Sequence, residues 1–491
     1  MPCPPEQQQV ADFLATLAGD GVVETHISLV FLGREEALKL KKAVNLGFLD
    51  FTRLEERGRL TRFENELNAP HAPGLYRGAV AVTRRPDGRL ALGGDGPVVD
   101  WVLRMRRLPR DAFLENRDRL DPALLDALAD AVVALHEAAP PRPGDGAPGD
   151  GAMDATIAGN RDAALAAGLS PDGVEAWFDG ARAAHEALRP WLAARAAAGF
   201  RRRCHGDLHL GNICLLDGRP CPFDALEFDE ALASIDVGYD LAFLLMDLEQ
   251  RHGRAAANRV MNRAVARSGD AAMLRGMPLF LSLRALIRAH VAARRGDAAE
   301  GAALLAAARG YLDDAPPPRL VAVGGLMGTG KSHLARRIAP DLGRAPGALI
   351  IRSDETRKRR AGVAPETRLP ESAYGLAENA AVFEAMTALA REALAGGQSV
   401  ILDAAYQRAE ERAAVAALHP DFTGLWLTAP LDVLRARVAA RRGDASDATV
   451  AVLEQAAARD IGALDWHAID ASDNAEPAAR KVLDLPAPPS P

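Results

Sequence analysis

Gly325-Leu326-Met327-Gly328-Thr329-Gly330-Lys331-Ser332 decides the architecture of the last third of this 491-residue chain. The octapeptide satisfies G-x-x-x-x-G-K-[ST] in full, with an apolar run at 320–323 before it and a helical pattern at 333–338 after it. Each residue type has a physical task. Glycines let the backbone curl until its N–H groups converge on phosphate oxygens. The helix that follows turns its positive end to the same anion. Lys331 reaches the β- and γ-phosphates, and the Ser332 hydroxyl is a Mg²⁺ ligand. Gly325, Gly328, Thr329, Gly330, Lys331 and Ser332 are therefore expected to hold ATP with Mg²⁺.

Outward from this loop, apolar runs alternate with helical patterns. The runs fall at 320–323, 348–351, 399–402, 425–428 and 467–469, with helices between them at 333–338, 377–394 and 431–442. That alternation predicts an α/β domain with a parallel sheet covered by helices on both faces. Asp354 and Arg357 follow the second run. Asp403 ends the third, in Val400-Ile401-Leu402-Asp403, the place of a carboxylate that holds Mg²⁺. Arg437, Arg441 and Arg442 lie on a helix leading into Gly443-Asp444-Ala445-Ser446, and any of them suits a lid that reaches phosphate. Upstream, Asp313-Asp314-Ala315-Pro316-Pro317-Pro318 cannot continue the helix expected at 301–311. The chain is accordingly divided into 1–315 and 316–491.

The first part is β-rich, with strands expected at 25–32, 36–41, 79–83 and 98–105, and then helical from 121 onward. Within it, His205-Gly206-Asp207-Leu208-His209-Leu210-Gly211-Asn212 carries H-x-D with Asn five residues after the Asp. Phosphoryl transfer needs one carboxylate beside the acceptor hydroxyl and an amide oxygen a short loop away to hold Mg²⁺. Phe223-Asp224-Ala225-Leu226-Glu227-Phe228 follows, where a second metal ligand is needed.

With Gly206 after the histidine, Gly211 before Asn212 and Asp-Leu-Ala at 240–242, this loop resembles that of the aminoglycoside phosphotransferase and choline kinase group. The resemblance implies Asp207 as general base, Asn212 and Asp224 as Mg²⁺ ligands with Glu227 competing for the second place, and His205 as a brace. Ala37-Leu38-Lys39-Leu40-Lys41 resembles the strand that supplies the α/β-phosphate lysine, which implies Lys39, with Lys41 on the same face. Its helix partner would be Glu64, or alternatively Glu66. No G-x-G-x-x-G precedes Lys39; Gly33 stands there alone. The last third resembles P-loop kinases of the gluconate kinase, polynucleotide 5′-kinase and zeta-toxin group. That likeness implies Asp354 as the base for an attacking hydroxyl and Arg357 as the residue steadying the acceptor. The whole order resembles a bacterial family in which an aminoglycoside phosphotransferase-like domain is fused to a P-loop kinase-like domain. The implied fold is an α+β bilobal protein-kinase-like domain followed by an α/β P-loop domain.

Bulk properties narrow the partners. Net charge is -7 and pI about 5.9, which argues against grip on a nucleic-acid backbone by bulk charge. Cys3, Cys204, Cys214 and Cys221 form no CxxC pair, so reduced thiols are expected rather than zinc or disulfides. The N-terminal residues lack the basic-then-apolar pattern of a signal peptide, and no apolar run is long enough to span a bilayer; a cytoplasmic, membrane-free protein is expected. The expected activity is a bifunctional ATP- and Mg²⁺-dependent phosphotransferase acting on hydroxyls of small acceptors. The competing expectation is a regulatory protein in which the P-loop part is a nucleotide switch and the first part a ligand sensor.

Overall fold

Strand alternation at the start of the chain sets the first sheet. In β2 (Ser28–Leu32) and β3 (Glu36–Lys41), Leu29, Phe31, Leu38 and Leu40 point to one side and are buried against Val10 and Leu14 of α1 (Gln8–Ala18). A period of two then sends Lys39 and Lys41 to the opposite face. The computed structural model describes residues 3–45, 50–142, 152–440 and 445–487. Its Cα packing forms two compact units, one of residues 1–118, 134–147 and 194–240, the other of 119–133, 148–193 and 241–491. The junction expected near residue 315 thus falls inside the second unit.

In the first unit, β1 (Val22–Glu24), β2, β3, β4 (Tyr76–Arg84), β5 (Leu90–Leu92) and β6 (Val98–Arg106) form an antiparallel sheet in the order β1-β2-β3-β6-β4-β5. Of the stretch 25–32, expected as one strand, only Ser28–Leu32 is strand, and residues 25–27 turn back to β1. Thr25 Oγ1 accepts from the Ser28 N–H at 2.9 Å, and this local bond closes a tight turn between β1 and β2. Helix α2 (Leu54–Asn68) crosses the lysine-bearing face. Its buried positions include Arg57, Thr61, Glu64 and Asn68, a polar stripe at helical spacing. Arg57 is held by a two-point pair with Asp100, at 3.0 and 3.1 Å.

Helices α3 (Pro122–Ala138), α4 (Ala152–Ala166) and α5 (Pro171–Ala197) come next. A short strand β7 (Arg201–Arg203) and a hairpin of β8 (Ile213–Leu216) and β9 (Arg219–Pro222) follow. One turn of helix, α6 (Glu230–Ala233), leads to β10 (Ser234–Asp236), which pairs with β7. Then come α7 (Val237–His252), α8 (Arg254–Ser268), α9 (Met277–Arg294) and α10 (Ala298–Asp313).

The second unit holds the parallel sheet. Its strands are β11 (Leu320–Gly325), β12 (Leu349–Arg352), β13 (Val400–Asp403), β14 (Phe422–Thr428) and β15 (His467–Asp470), in the order β12-β13-β11-β14-β15. All pairs are parallel. Helices α11 (Lys331–Ile338), α12 (Ser353–Arg360), α13 (Leu376–Ala395), α14 (Ala409–Ala416), α15 (Leu431–Ala440), α16 (Val450–Ala457) and α17 (Glu476–Val482) accompany it. Strands buried on both faces read as continuous apolar runs, which is why the sequence located β11, β12 and β13; β15, at the sheet edge, is mostly exposed. Val321, Val323, Ile350, Ile401 and Leu427 share one core with Leu334 and Ile338 of α11. No helix among the described residues is long and apolar enough to cross a membrane.

The outer edge of β12 is closed by side chains of α8 rather than by another strand. Asn262 Oδ1 accepts from the Ile350 N–H at 2.6 Å, and Asn258 Nδ2 donates to the Ala348 carbonyl at 3.0 Å. An edge strand left open is a template for wrong pairing, so this cover has a folding purpose. Asn262→Leu orphans the Ile350 N–H and is expected to destabilise the chain by about 1–3 kcal/mol. Urea unfolding with unchanged slope and a lowered midpoint is the expected result.

Candidate active sites

The first site grows from the lysine face of β3. Lys39 Nζ lies 2.7 Å from Glu64 Oε1 and 2.5 Å from Asp224 Oδ1. Lys41 Nζ lies 2.6 Å from the other Glu64 oxygen and also contacts Glu227 Oε1. The result is an unbroken alternation of charge: Asp224, Lys39, Glu64, Lys41, Glu227. Burial opposes the charge on Lys39, but Asp224 and Glu64 outweigh it and hold its ammonium well above the usual lysine range. Glu64 is fully buried whereas Glu66 is exposed, so the helix partner of the two lysines is Glu64. Asp224 keeps 35% of its side chain exposed and Glu227 only 5%, locked against Lys41. Of the two, Asp224 is the carboxylate open to a ligand.

The hairpin β8–β9 brings the two expected metal ligands together. Its strands pair Ile213 with Pro222 and Cys214 with Cys221, and the Phe223 N–H donates to the Asn212 carbonyl at 3.0 Å. Asn212 and Asp224 thus stand at the two feet of one hairpin. Asp224 takes a positive φ of 61°, steadied by its N–H donating to the Tyr76 hydroxyl at 2.9 Å. Asn212 Nδ2 donates to both the carbonyl and the carboxylate of Asp207, each at 2.9 Å. That leaves Oδ1 as the ligand atom of Asn212. Oxygen donors from an amide and a carboxylate are the hard set that suits Mg²⁺.

Asp240, at the start of the Asp-Leu-Ala stretch, anchors the catalytic loop, and the sequence assigned it no role. Its fully buried carboxylate accepts from the backbone N–H of Gly206 at 2.8 Å and of His205 at 3.2 Å. His136 Nε2 meets it at 2.9 Å. His136, Cys204 and Asp240 lie close enough to bracket a metal, but the carboxylate is committed to the loop backbone, so the group positions Asp207 instead. His205 braces the loop as expected, with Nε2 bonded to the Phe223 carbonyl at 2.8 Å. Burial pushes the His205 imidazole down and keeps it neutral.

The second site lies where β11 passes into α11. Gly325 takes φ +129°, and a Cβ there would sit 2.4 Å from the Leu427 carbonyl oxygen. Gly330 begins α11 at φ +89°. Lys331 Nζ donates to the carbonyls of Gly325 and Leu326, both at 2.9 Å. The Thr329 hydroxyl donates to the Leu326 carbonyl at 2.8 Å. The Ser332 hydroxyl donates to Asp403 Oδ2 at 2.5 Å, which joins the two expected Mg²⁺ ligands and again offers hard oxygens. Arg352 Nε stands 3.3 Å from the same carboxylate and its Nη1 2.8 Å from Glu355.

Asp354 opens α12 close to this group. Burial pushes its carboxyl up, Arg352 draws it part of the way back, and Asp403 adds to the rise. A raised carboxylate is a stronger base for a hydroxyl proton. Arg357 donates to the Ala373 carbonyl and to Asn379 Oδ1, each at 2.7 Å, with its guanidinium over the Tyr374 ring. Lys358, one of four consecutive basic residues, is buried rather than solvated. It contacts Asp447, which also accepts from the Tyr374 hydroxyl at 2.5 Å and the Leu369 N–H at 3.0 Å. Nothing in the periodicity singled out this cluster. Arg437 donates to the Ala471 carbonyl at 2.7 Å and the Ser472 carbonyl at 2.8 Å, so it braces the end of β15. Arg441 and Arg442 lie outside the described residues.

The family described as "Phosphotransferase enzyme family" matches residues 100–275, and the family described as "AAA domain" matches residues 320–459. The chain is 32% identical over 483 residues to the uncharacterized protein Rv2004c of Mycobacterium tuberculosis, covering 94% of this chain and 93% of that one. Among solved structures it is similar to the aminoglycoside phosphotransferase APH(4)-Ia, at 14% identity and a TM-score of 0.38, over 62% of this chain and 98% of that one. It is also similar to a gluconokinase from Sinorhizobium meliloti 1021, at 21% identity and a TM-score of 0.25, over 34% of this chain and 90% of that one. The order of the two matched segments is that of an aminoglycoside phosphotransferase-like domain fused to a P-loop kinase-like domain.

Two expectations follow from the geometry. Asp240→Ala strips an acceptor from two backbone N–H groups, each worth about 1–3 kcal/mol when orphaned. It is expected to lower turnover at the first site more than ATP affinity, read as a fall in kcat with a smaller change in the Kd for ATP. At the second site the base must be ionised, so turnover falls as pH drops through the pKa of Asp354. Because burial raises that pKa, the acid limb should lie above the ordinary aspartate value of about 3.9 and vanish from the residual rate of Asp354→Ala.

Proposed function

This chain belongs to the family that includes Rv2004c of Mycobacterium tuberculosis, and from that premise we propose that it is a cytoplasmic, ATP- and Mg²⁺-dependent phosphotransferase with two kinase sites. One site belongs to residues 1–315 and the other to 316–491. Each transfers the γ-phosphoryl group of ATP to a hydroxyl of a small acceptor. The observation that carries this reading is the first site's set: Asp207 held by Asn212, and Lys39 held between Glu64 and Asp224.

The division of labour follows from placement. Lys39 faces the α- and β-phosphates, and Glu64 keeps it extended. Asp207 accepts the proton of the acceptor hydroxyl as its oxygen attacks the γ-phosphorus; the bond to the β-phosphate oxygen breaks and ADP departs. Asn212 and Asp224 would hold Mg²⁺, which when bound neutralises charge building on the phosphate oxygens. In the second site Gly325 to Ser332 cradle the phosphates, Ser332 and Asp403 would hold the metal, and Asp354 takes the hydroxyl proton while Arg357 orders the acceptor side. A pure nucleotide switch has no use for a base at Asp354, which favours catalysis over the regulatory alternative.

ATP turnover by the full chain, measured against sugars, amino alcohols, aminoglycosides and 5′-hydroxyl oligonucleotides, tests the proposal. Asp207→Ala should remove turnover of one acceptor class by about 10²–10⁴-fold while leaving ATP binding largely intact. Lys331→Ala should remove turnover of the other together with most nucleotide affinity of the second site. Acceptor-dependent turnover that survives in the double variant would sink the two-site reading.

A further inference from the structure

A half-open cavity of about 270 Å³ lies in the second unit, and none of its lining residues belongs to either candidate site. The end of α7, the first residue of α8, the start of α9, the end of α10 and the loop after α11 converge on it. Its polar lining is Arg254, Arg344, Glu249, Gln250, Tyr311 and Asp314. None of these residues takes part in the chemistry above.

The two arginines have an unusual electrostatic position. Arg344 donates to the carbonyls of Leu274 and Gly396, at 2.7 and 2.6 Å, and to Gln398 Oε1 at 3.1 Å. These are neutral acceptors. Burial alone pushes its guanidinium down to about 10, and no carboxylate offsets the effect. Arg254 donates through Nη2 to the Gly343 carbonyl at 2.7 Å, while its buried Nε has no hydrogen-bond partner. Among the described residues neither guanidinium forms an ion pair. Buried or half-buried guanidiniums ordinarily meet carboxylate or phosphate, because their forked donors match such oxyanions and desolvation without a counter-ion is costly.

The rest of the polar lining has a different character. The Tyr311 hydroxyl donates to Glu249 Oε2 at 3.1 Å and accepts from Gln250 Nε2 at 3.3 Å. Glu249 and Asp314 also line the cavity, and among the described residues neither forms an ion pair with Arg254 or Arg344. Burial raises the Glu249 carboxyl, and Arg254 offsets part of that rise. A wall of carboxylate and phenol oxygens suits hydroxyl donors. Guanidiniums together with carboxylate and phenol oxygens suit a molecule with an anionic end and a hydroxylated body.

We propose that this cavity binds a small hydroxylated oxyanion, with its phosphate or carboxylate on Arg254 and Arg344 and its hydroxyls facing Glu249 and Tyr311. The site is separate from both catalytic centres, and its existence does not depend on the phosphotransferase reading. Arg344 follows the helix that Lys331 begins, and Asp314 stands just before the proline run at 316–318, so the occupant touches chain segments that lead directly to the P-loop.

Calorimetric titration of the full chain with glycerol 3-phosphate and with glycerate, in the absence of ATP, tests this. The probes carry vicinal hydroxyls and differ in the anion. At least one should bind the wild-type chain, and should bind Lys331→Ala and Asp207→Ala equally well. Arg254→Met should weaken it by about tenfold or more, the loss of a charge-assisted hydrogen bond. Tyr311→Phe, which removes one hydroxyl and keeps the ring, should weaken it by a smaller factor and remains decisive if Arg254→Met fails to fold. Binding of glycerate alone identifies a carboxylate ligand, and of glycerol 3-phosphate alone a phosphate ligand. If neither probe binds, if both cavity variants bind like wild type, or if Lys331→Ala or Asp207→Ala abolishes binding, the proposal is wrong.

Discussion

A lysine taken out of water must keep a carboxylate within reach, and the first unit is arranged around that requirement. Lys39 and Lys41 leave β3 on one face because strand side chains alternate. Glu64 comes down from α2 to meet both, and Asp224 and Glu227 close the two ends from the segment after β9. Desolvating five charges is expensive, and the pairing returns that energy only when the geometry is complete. The ladder therefore fixes position more than it adds stability. It sets the register of β3 against α2, and it fixes where the chain leaves the β8–β9 hairpin. Asp224 can stand beside Asn212 only while that arrangement holds.

The two phosphate sites solve one problem in different ways. Each must keep a cation ready for an anionic substrate. In the first, carboxylates hold Lys39, and one of them, Asp224, is itself the candidate metal ligand. On the proposed reading, a metal held by Asp224 would compete with Lys39 for that carboxylate. In the second, Lys331 rests on the carbonyls of its own loop, and Ser332 and Asp403 hold each other. Neutral carbonyls are easily displaced by phosphate oxygens. The backbone curl that makes the cradle is already present through Gly325 and Gly330, so the second site is the more preorganised of the two.

The legible parts of the sequence were those where chemistry or burial imposes a pattern. Continuous apolar runs located the inner strands of the parallel sheet, because strands buried on both faces admit little else, and β15 was marked only by a short run around Ile469. The spacings Gly325 to Ser332 and His205 to Asn212 marked the two loops on which the candidate sites are built, since few residue types fit either pattern. What escaped did so for equally physical reasons. Helix α2 buries Arg57, Thr61, Glu64 and Asn68, so hydrophobic periodicity is silent where the stripe is polar. The turn that splits β1 from β2 rests on one threonine hydroxyl. Asp240 and His136 meet across 104 positions of sequence, and neither carries a signal until the fold joins them. Lys358 and Asp447 were hidden inside a basic run and a polar loop that look solvated on composition alone.

The same distinction explains how the parallel sheet ends. A sheet of this type needs helices on both faces, but its outermost strand also has a row of backbone groups to satisfy. Here β12 is finished by Asn258 and Asn262, which belong to the stretch matched by the phosphotransferase family and not to the P-loop stretch. Asparagine is well suited to this, since its amide reproduces the donor and acceptor of a neighbouring strand without extending the sheet. The P-loop sheet thus borrows its edge from residues that precede the proline run by some fifty positions in sequence. Arg263 adds an ion pair of 2.7 Å to Glu366 in the same region, while also pairing with Asp130. A boundary drawn at the prolines lies between the two motifs and inside the second packed unit. The fusion is therefore a structural dependence, in which the helical residues from 254 to 268 complete the sheet on which the second phosphate site is built.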